Sequence, residues 1–438
     1  MIQSFRNIFK IPELKNRVLF TLAMLAIYRV GAHIPTPGIN AAQLAEFFNQ
    51  AKGTIFGFFD MFSGGAFSNM TVFSLGIMPY ISASIILQLL AVVVPYLERL
   101  SKEGEQGRRK ITQYTRYGTV VLSVIQSAGI SLGLERMMVG EGSIVVNPGW
   151  RFRIMTIITL TAGTAFIMWL GEQITERGIG NGISLIISAG IVVALPSAVF
   201  KTIEQLRNNE IKLYTVAFML LVIVIVVAGV VVMQQAQRRI PVQYPKRVVG
   251  RRVMGGQSTH IPLRINTAGV IPVIFASSLI VLPVTVLQLF TSAEWPWVET
   301  LVNALAPGAL LYTILYVILI VFFTYFYTAI IFNPVDLADN MKKYGGFIPG
   351  IRPGKRTSDF IDRALTRVTL VGAVFLAGIS VLPTLLISWL HVPFYFGGTA
   401  LLIVVGVGLD TVQQIESHLI MRHYEGFMKR GRIRGRRS

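Results

Sequence analysis

The 438-residue chain contains no cysteine and only five histidines. Without cysteine there is no disulfide framework, thiol nucleophile or thiolate metal site, and five scattered histidines make a zinc centre a poor reading. Charge is scarce as well. Asp, Glu, Lys and Arg make up 14% of the residues, whereas apolar residues reach 53% and the mean hydropathy is +0.62. A soluble globular domain carries roughly 25% charged residues, so lipid is the solvent for most of this chain. Acidic residues are the scarcest charge, 21 against 40 Lys and Arg, which leaves a formal charge of +19. Hydrocarbon does not accept that charge, so it must gather between the apolar runs.

Those runs are long. A helix needs about 20 apolar residues to cross the hydrocarbon, where no water can satisfy an exposed backbone. Ten runs qualify, near residues 18–34, 74–96, 117–134, 154–171, 183–200, 213–233, 266–290, 308–331, 368–390 and 394–411, the last two parted by a turn around Pro393. The expected fold class is an all-α membrane protein with ten transmembrane helices. The opening MIQSFRNIFKIPELKNR precedes the first run without a small-residue cleavage site, so that run is expected to be retained and not removed as a signal peptide. With loops assigned alternately from a cytoplasmic N-terminus, 32 Lys and Arg fall inside and 7 outside, and Arg29 lies within the first run. Acidic residues divide more evenly, 13 to 8. The bias therefore belongs to the basic side chains, which resist translocation, and both termini are expected to be cytoplasmic.

Positive charge is densest in QRRIPVQYPKRVVGRR (237–252) and in the tail MKRGRIRGRRS. Two readings stand for these segments: topology with attraction to anionic lipids, or docking of a large polyanion or acidic partner such as ribosomal RNA.

One pattern occurs twice. GIMPYISAS (Gly76 to Ser84) and GVIPVIFAS (Gly269 to Ser277) agree in spacing and sit in the second and seventh runs, which the charge count orients oppositely. Chance likeness between apolar helices is one reading; an inverted repeat of five plus five spans is the other. On the second, residues 1–200 and 201–420 form two halves, followed by a basic tail over 421–438. Inverted repeats place the functional pathway where the halves meet, beside helices broken by proline and glycine, and Pro79 and Pro272 are expected to be those breaks. Ile81 and Ile274 are equivalent within the repeat, and Ile77 lies one turn before Ile81 on the same helix face. They face the shared axis or else pack and meet lipid as ordinary isoleucines.

Between the first two runs, GFFDMFSGGAFSNMTVF (57–73) is too polar for lipid unless protein or water surrounds its backbone. It is a re-entrant or cavity-lining half-helix, or a simple external loop. The run interiors hold almost no ionisable residue; Arg29, Glu172 and Asp410 lie near run ends. Ion-coupled transporters place proton and cation relays inside their spans, so a small-solute transporter is the weaker reading. An intramembrane enzyme is weaker still, because no paired carboxylates, Ser/His dyad or ligand cluster lies within the runs. Gly354-Lys355 is followed by Arg356 and preceded five positions back by Pro349, which does not make a phosphate loop. GIGNGIS (178–184) is read as a tight turn with close backbone packing. A pathway lined by branched apolar side chains suits a gate that closes by dewetting.

From about Arg17 to Gln414 the chain resembles the SecY family of protein-conducting channels. The resemblance is carried by SLGIMPYISASIILQLL (74–90), EGEQGRRKITQYTRYG (103–118), MWLGEQITERGIGNGIS (168–184), QSTHIPLRINTAGVIP (257–272), FNPVDLADNMKK (332–343), GIRPGKRTSDFID (350–362) and VPFYFGGTALLIVV (392–405). It implies an hourglass pore between two inverted halves, which passes unfolded polypeptide and opens sideways to release hydrophobic segments. The family's pore ring falls on Ile77, Ile81, Ile187, Ile274 and Ile403. Its plug falls on Asp60, Met61, Phe62, Ser63, Gly64, Gly65, Ala66, Phe67, Ser68, Asn69, Met70 and Thr71, and its lateral gate includes Gln88. Arg251, Arg252 and Arg352 match positions linked to partner docking. The implied partners are the SecE and SecG companion subunits, the SecA motor ATPase, the ribosome, signal-bearing precursors and anionic lipids. No cofactor and no metal is implied, and residues after about Met421 match no motif of the family.

Overall fold

The computed structural model of the chain describes residues 11–40, 43–44, 48, 60, 63–136, 138–139, 142–209, 211–249, 252–255, 258–290, 300–301, 304–305, 308–390 and 398–430. Among these, helices dominate: α1 Pro12–Gly31, α2 Met78–Val93, α3 Pro95–Lys102, α4 Glu105–Arg136, α5 Trp150–Arg177, α6 Gly182–Arg207, α7 Leu213–Gln235, α8 Ile271–Phe290, α9 Leu310–Ile331, α10 Pro334–Lys343, α11 Lys355–Leu390 and α12 Gly398–Arg430. Seven helices among the described residues are long and apolar enough to cross a membrane, and α2 with α3 passes as a pair bent by 100°. The bend has a local cause. Val94 precedes Pro95, whose ring disfavours a helical residue before it, and Val94 is extended at φ −93°, ψ 114°. The four charged residues of α1, Glu13, Lys15, Arg17 and Arg29, set it apart from the more apolar spans. Several helices outrun their apolar windows: α4 begins at Glu105, α11 at Lys355, and α12 continues to Arg430. The expected turn around Pro393 lies outside the described residues.

The chain divides into two compact units, Met1–Ile203 with Val281–Pro307 and Val407–Ser438, and Glu204–Ile280 with Gly308–Gly406. In the first, the GIGNGIS turn works as a staple. Its amides at Ile179 and Gly180 donate to Thr21 Oγ1 on α1 (3.0 Å) and to Gln414 Oε1 on α12 (2.9 Å). The amide of Gly182 donates to Thr175 Oγ1 at 2.9 Å, and Asn181 Oδ1 caps α6 by accepting from Ile183 and Ser184. A β-carbon on Gly178 or Gly182 would collide with Thr21 Oγ1 or with the Gly171 carbonyl, so glycine is the only residue that permits this approach.

In the second unit, the basic segment between α7 and α8 is a β-hairpin. β3 Gln237–Gln243 pairs antiparallel with β6 Ser258–Arg264, and β4 Lys246–Val249 pairs with β5 Arg252–Gly255 beyond it. The alternation in β3 puts Ile240 and Val242 on the buried face. Together with Leu263 they join Met341, Ile348, Ile361, Ala364 and Leu365 in one apolar cluster. The first unit also carries a two-residue pair, β1 Met138–Val139 with β2 Gly142–Ser143.

Candidate functional site

The two copies of the repeated motif adopt the same local geometry. Gly76 and Gly269 take φ of +56° and +63°, a region that side chains disfavour. The carbonyl of Ile77 accepts the amides of Tyr80 and Ile81 (3.1 Å each), and the matching Val270 carbonyl accepts those of Val273 (3.2 Å) and Ile274 (3.3 Å). Pro79 and Pro272 were expected to break their helices, and the structure corrects this. Each stands at the second helical position, where its missing amide would have had no intrahelical partner, so each starts a helix. Ile77 is correspondingly the N-cap residue of α2 and not part of its interior.

All five isoleucines assigned to the ring are at most 4% exposed: Ile77, Ile81 and Ile187 in the first unit, Ile274 and Ile403 in the second. Lipid-facing isoleucines would look different. Ile154, Ile158 and Ile225, on the outward faces of α5 and α7, are each more than half exposed. The ring side chains are therefore enclosed by protein. Ile77 and Ile81 stand on the turn that opens α2, Ile187 near the start of α6 and Ile403 near the start of α12. Gln88, also on α2, donates through Nε2 to Ser84 Oγ at 3.2 Å, while its buried Oε1 has no partner among the described residues.

The plug residues Asp60 and Ser63 to Thr71 are described; Met61 and Phe62 lie outside the described residues. Asp60 and Ser63 are helical, and from Gly64 to Ile77 the chain runs through turns and a bridge at Thr71. Its polar side chains satisfy its own backbone. Asp60 Oδ1 accepts the Ser68 amide at 2.7 Å, Ser63 Oγ accepts the Phe67 amide at 3.0 Å, and Ser74 Oγ donates to the Ala66 carbonyl at 3.0 Å. A buried backbone without such partners would cost about 1–3 kcal/mol per orphaned group, which accounts for polar residues in an otherwise apolar setting. Gly64 closes the arrangement. A β-carbon there, at φ +66°, would come within 2.7 Å of Gly190 Cα, and one on Gly76 would sit 3.7 Å from Ser63 Cα. Ser63 and Gly64 thus pack against glycines within three residues of Ile77 and Ile187.

Burial pushes the Asp60 carboxyl above the usual carboxylate range, partly opposed by the Ser68 and Phe67 amides. Folding therefore favours the neutral acid relative to the unfolded chain. Its stabilising contribution is in place below the ordinary carboxylate range and declines as pH rises through the raised value. Protection of the Ser68 and Gly65 amides against hydrogen exchange is expected to fall over that interval, and Asp60→Asn, which keeps the acceptor, to remove the dependence. An equal fall in both proteins would show that another group titrates.

Of the docking arginines, Arg251 lies outside the described residues, and Arg252 opens β5 opposite Val249 at the hairpin tip. Arg352 is exposed, between Gly350 and Gly354, and its carbonyl accepts from Thr357 Oγ1 at 2.9 Å. The apolar cluster at the hairpin base also includes Ile348, with Ile351 packed against it. Both basic segments therefore rest on one small core.

The SecY family model matches residues 71–412. The chain belongs to the SecY family. A SecY relative, the protein translocase subunit SecY of Escherichia coli strain K12, is 51% identical over 424 residues, which covers 97% of this chain and 96% of that one. Among solved structures, the chain resembles a SecY channel described for a plug domain that stabilises its closed state and maintains a membrane seal. That likeness has a TM-score of 0.65 at 19% identity, over 94% of this chain and 96% of the other. It also resembles Sec61 of a canine ribosome-channel complex from the endoplasmic reticulum, with a TM-score of 0.64 at 18% identity over the same shares. The SecY fold and the helical membrane class follow from these matches. Ile187 and Ile403 reached the SecY ring through the resemblance alone, because neither stands in the repeat. Tyr28 and Gly190 escaped notice, and their only signal was a polar or small residue inside an apolar helix.

Proposed function

We propose that the chain is the protein-conducting subunit of a bacterial translocase, passing unfolded secretory polypeptides across the plasma membrane and releasing hydrophobic segments sideways into the bilayer. The observation that carries this reading is the burial of the five isoleucines that the resemblance assigns to the ring, in a chain whose family match runs over residues 71–412. Branched apolar side chains can part around an extended polypeptide and close behind it, whereas a polar ring would hold water and leak ions. Selectivity then rests with the signal segment, whose transfer to lipid contributes about 25 cal/mol per Å² of apolar surface.

The finer assignments belong to the same proposal. The chain crosses the membrane ten times with both termini cytoplasmic, the 32 to 7 distribution of Lys and Arg supporting that orientation. Its halves, residues 1–200 and 201–420, part at a lateral gate that includes Gln88, and residues 60–71 act as the plug. The chain has no ATP site of its own. SecA or the ribosome supplies the energy, docking on the basic hairpin and on Arg352, while SecE and SecG accompany the channel and anionic lipids meet the remaining positive charge.

Reconstitution into vesicles with the companion subunits and motor tests the whole reading. A signal-bearing precursor is expected to become protease-protected in an ATP-dependent manner. Uptake of a small solute down an ion gradient, with no precursor protected, would favour the transporter instead.

A further inference from the structure

Arg29 stands in the last turn of α1 and takes no part in the ring or in docking. Its Nη1 donates to the Gly64 carbonyl at 2.9 Å, and the neighbouring Tyr28 hydroxyl donates to the Ser63 carbonyl at 3.1 Å. Consecutive residues of α1 thus hold consecutive carbonyls at the start of the plug. Among the described residues the half-buried Arg29 guanidinium pairs with no carboxylate, and the Gly64 carbonyl is the partner its charge-assisted hydrogen bond reaches.

The far end of the segment is held differently. Thr36 and Val72 donate their amides to the Met70 and Ile34 carbonyls, and Pro35 bridges to Thr71. Phe73 stacks on Tyr28 at 5.9 Å and on Phe166 at 6.0 Å, in a space that a β-carbon on Gly31 would overlap. One end is therefore fixed by backbone pairing and by the stacking of the buried Phe73 ring. The other is fixed by two side-chain donors and by the close packing of Gly64 on Gly190 and of Ser63 beside Gly76, contacts without hydrogen bonds. The two ends are thus held by different kinds of contact, backbone pairing at 70–73 and side-chain donors at 63–64.

We propose that Arg29 and Tyr28 form a latch that holds Ser63 and Gly64 at the base of the plug, and that breaking these two hydrogen bonds is a step in opening the channel. The latch rests on residues 60–71 acting as the plug. Arg29 and Tyr28 are positioning residues, acting on the pore through Gly64 and Ser63.

The test measures idle ion conductance of the reconstituted channel with its companion subunits. Arg29→Leu is expected to raise it about tenfold or more, the scale set by losing a charge-assisted hydrogen bond. Arg29→Lys, which retains a cationic donor, is expected to stay near the parent value. Tyr28→Phe keeps the stacked ring and removes only the donor; it is expected to raise conductance several-fold and carries the test if Arg29→Leu does not assemble. In a channel lacking residues 60–71, Arg29→Leu is expected to add nothing. Were that deletion itself silent, the plug reading would fail. A leaky deletion combined with tight Arg29→Leu and Tyr28→Phe channels would overturn the latch alone. A further rise from Arg29→Leu in the deleted channel would overturn it too, by showing a general loosening of the helices.

Discussion

Replacing Ile81 and Ile274 together with asparagine is expected to raise resting ion conductance by at least about tenfold, while precursor translocation continues. Both side chains are almost fully enclosed, and each follows a left-handed glycine by five residues on an identical turn. An amide in place of the branched chain needs hydrogen-bond partners, and leaving it without them costs roughly 2–7 kcal/mol. In the proposed ring, water entering the pathway would supply those partners, and a constriction that excludes water by being apolar would become one that holds it. A tenfold change corresponds to about 1.4 kcal/mol, well inside that range. Substitution of the same two positions with leucine conserves volume and is expected to leave the resting conductance close to that of the parent. Planar-bilayer recordings of the idle channel make the comparison. Conductance unchanged by asparagine would remove the seal from these residues.

Arg352→Glu is expected to slow motor-driven translocation about tenfold or more without weakening the fold. The side chain is exposed on a turn whose flanking glycines, Gly350 and Gly354, take φ of +82° and +104°, and the turn is fastened by Thr357 Oγ1 at the Arg352 carbonyl. The turn therefore keeps its shape when the side chain changes, and the loss is one of charge alone. If this turn is the proposed docking surface, reversal removes an attraction there and adds a repulsion, which acts first on association. The effect is expected to shrink as ionic strength rises, because exposed charges are screened over about 8 Å at physiological salt. Translocation of a signal-bearing precursor into vesicles, titrated with the motor, measures it. Normal rates at every motor concentration would place docking elsewhere.

Much of this was legible before any coordinates. Apolar runs of some 20 residues admit one backbone solution in lipid, so their helical state followed from composition. The repeated Gly-x-x-Pro pattern marked the turns at Gly76 and Gly269, although it did not reveal whether proline would break or begin the helix. That depended on where the helix started, and the left-handed glycine placed the start one residue before the proline. The basic hairpin was read as charge only. Its strands were visible as alternation around Ile240 and Val242, a short signal that seven arginines and lysines among residues 238 to 264 obscured.

By itself, the sequence determined the membrane class, the helical runs and the surplus of basic charge between them, because each of these follows from local composition; the ring positions came from the family resemblance, with only Ile77, Ile81 and Ile274 also marked by the repeat. Only the tertiary structure decided that Thr21 and Gln414 close the GIGNGIS turn, that Gly64 seats on Gly190, and that Arg29 and Tyr28 hold the carbonyls of Gly64 and Ser63. The pairs in that group that join separate helices and loops are dozens to hundreds of residues apart along the chain. Donor and acceptor at such separations carry no periodicity between them, and meet only once packing has brought their elements together.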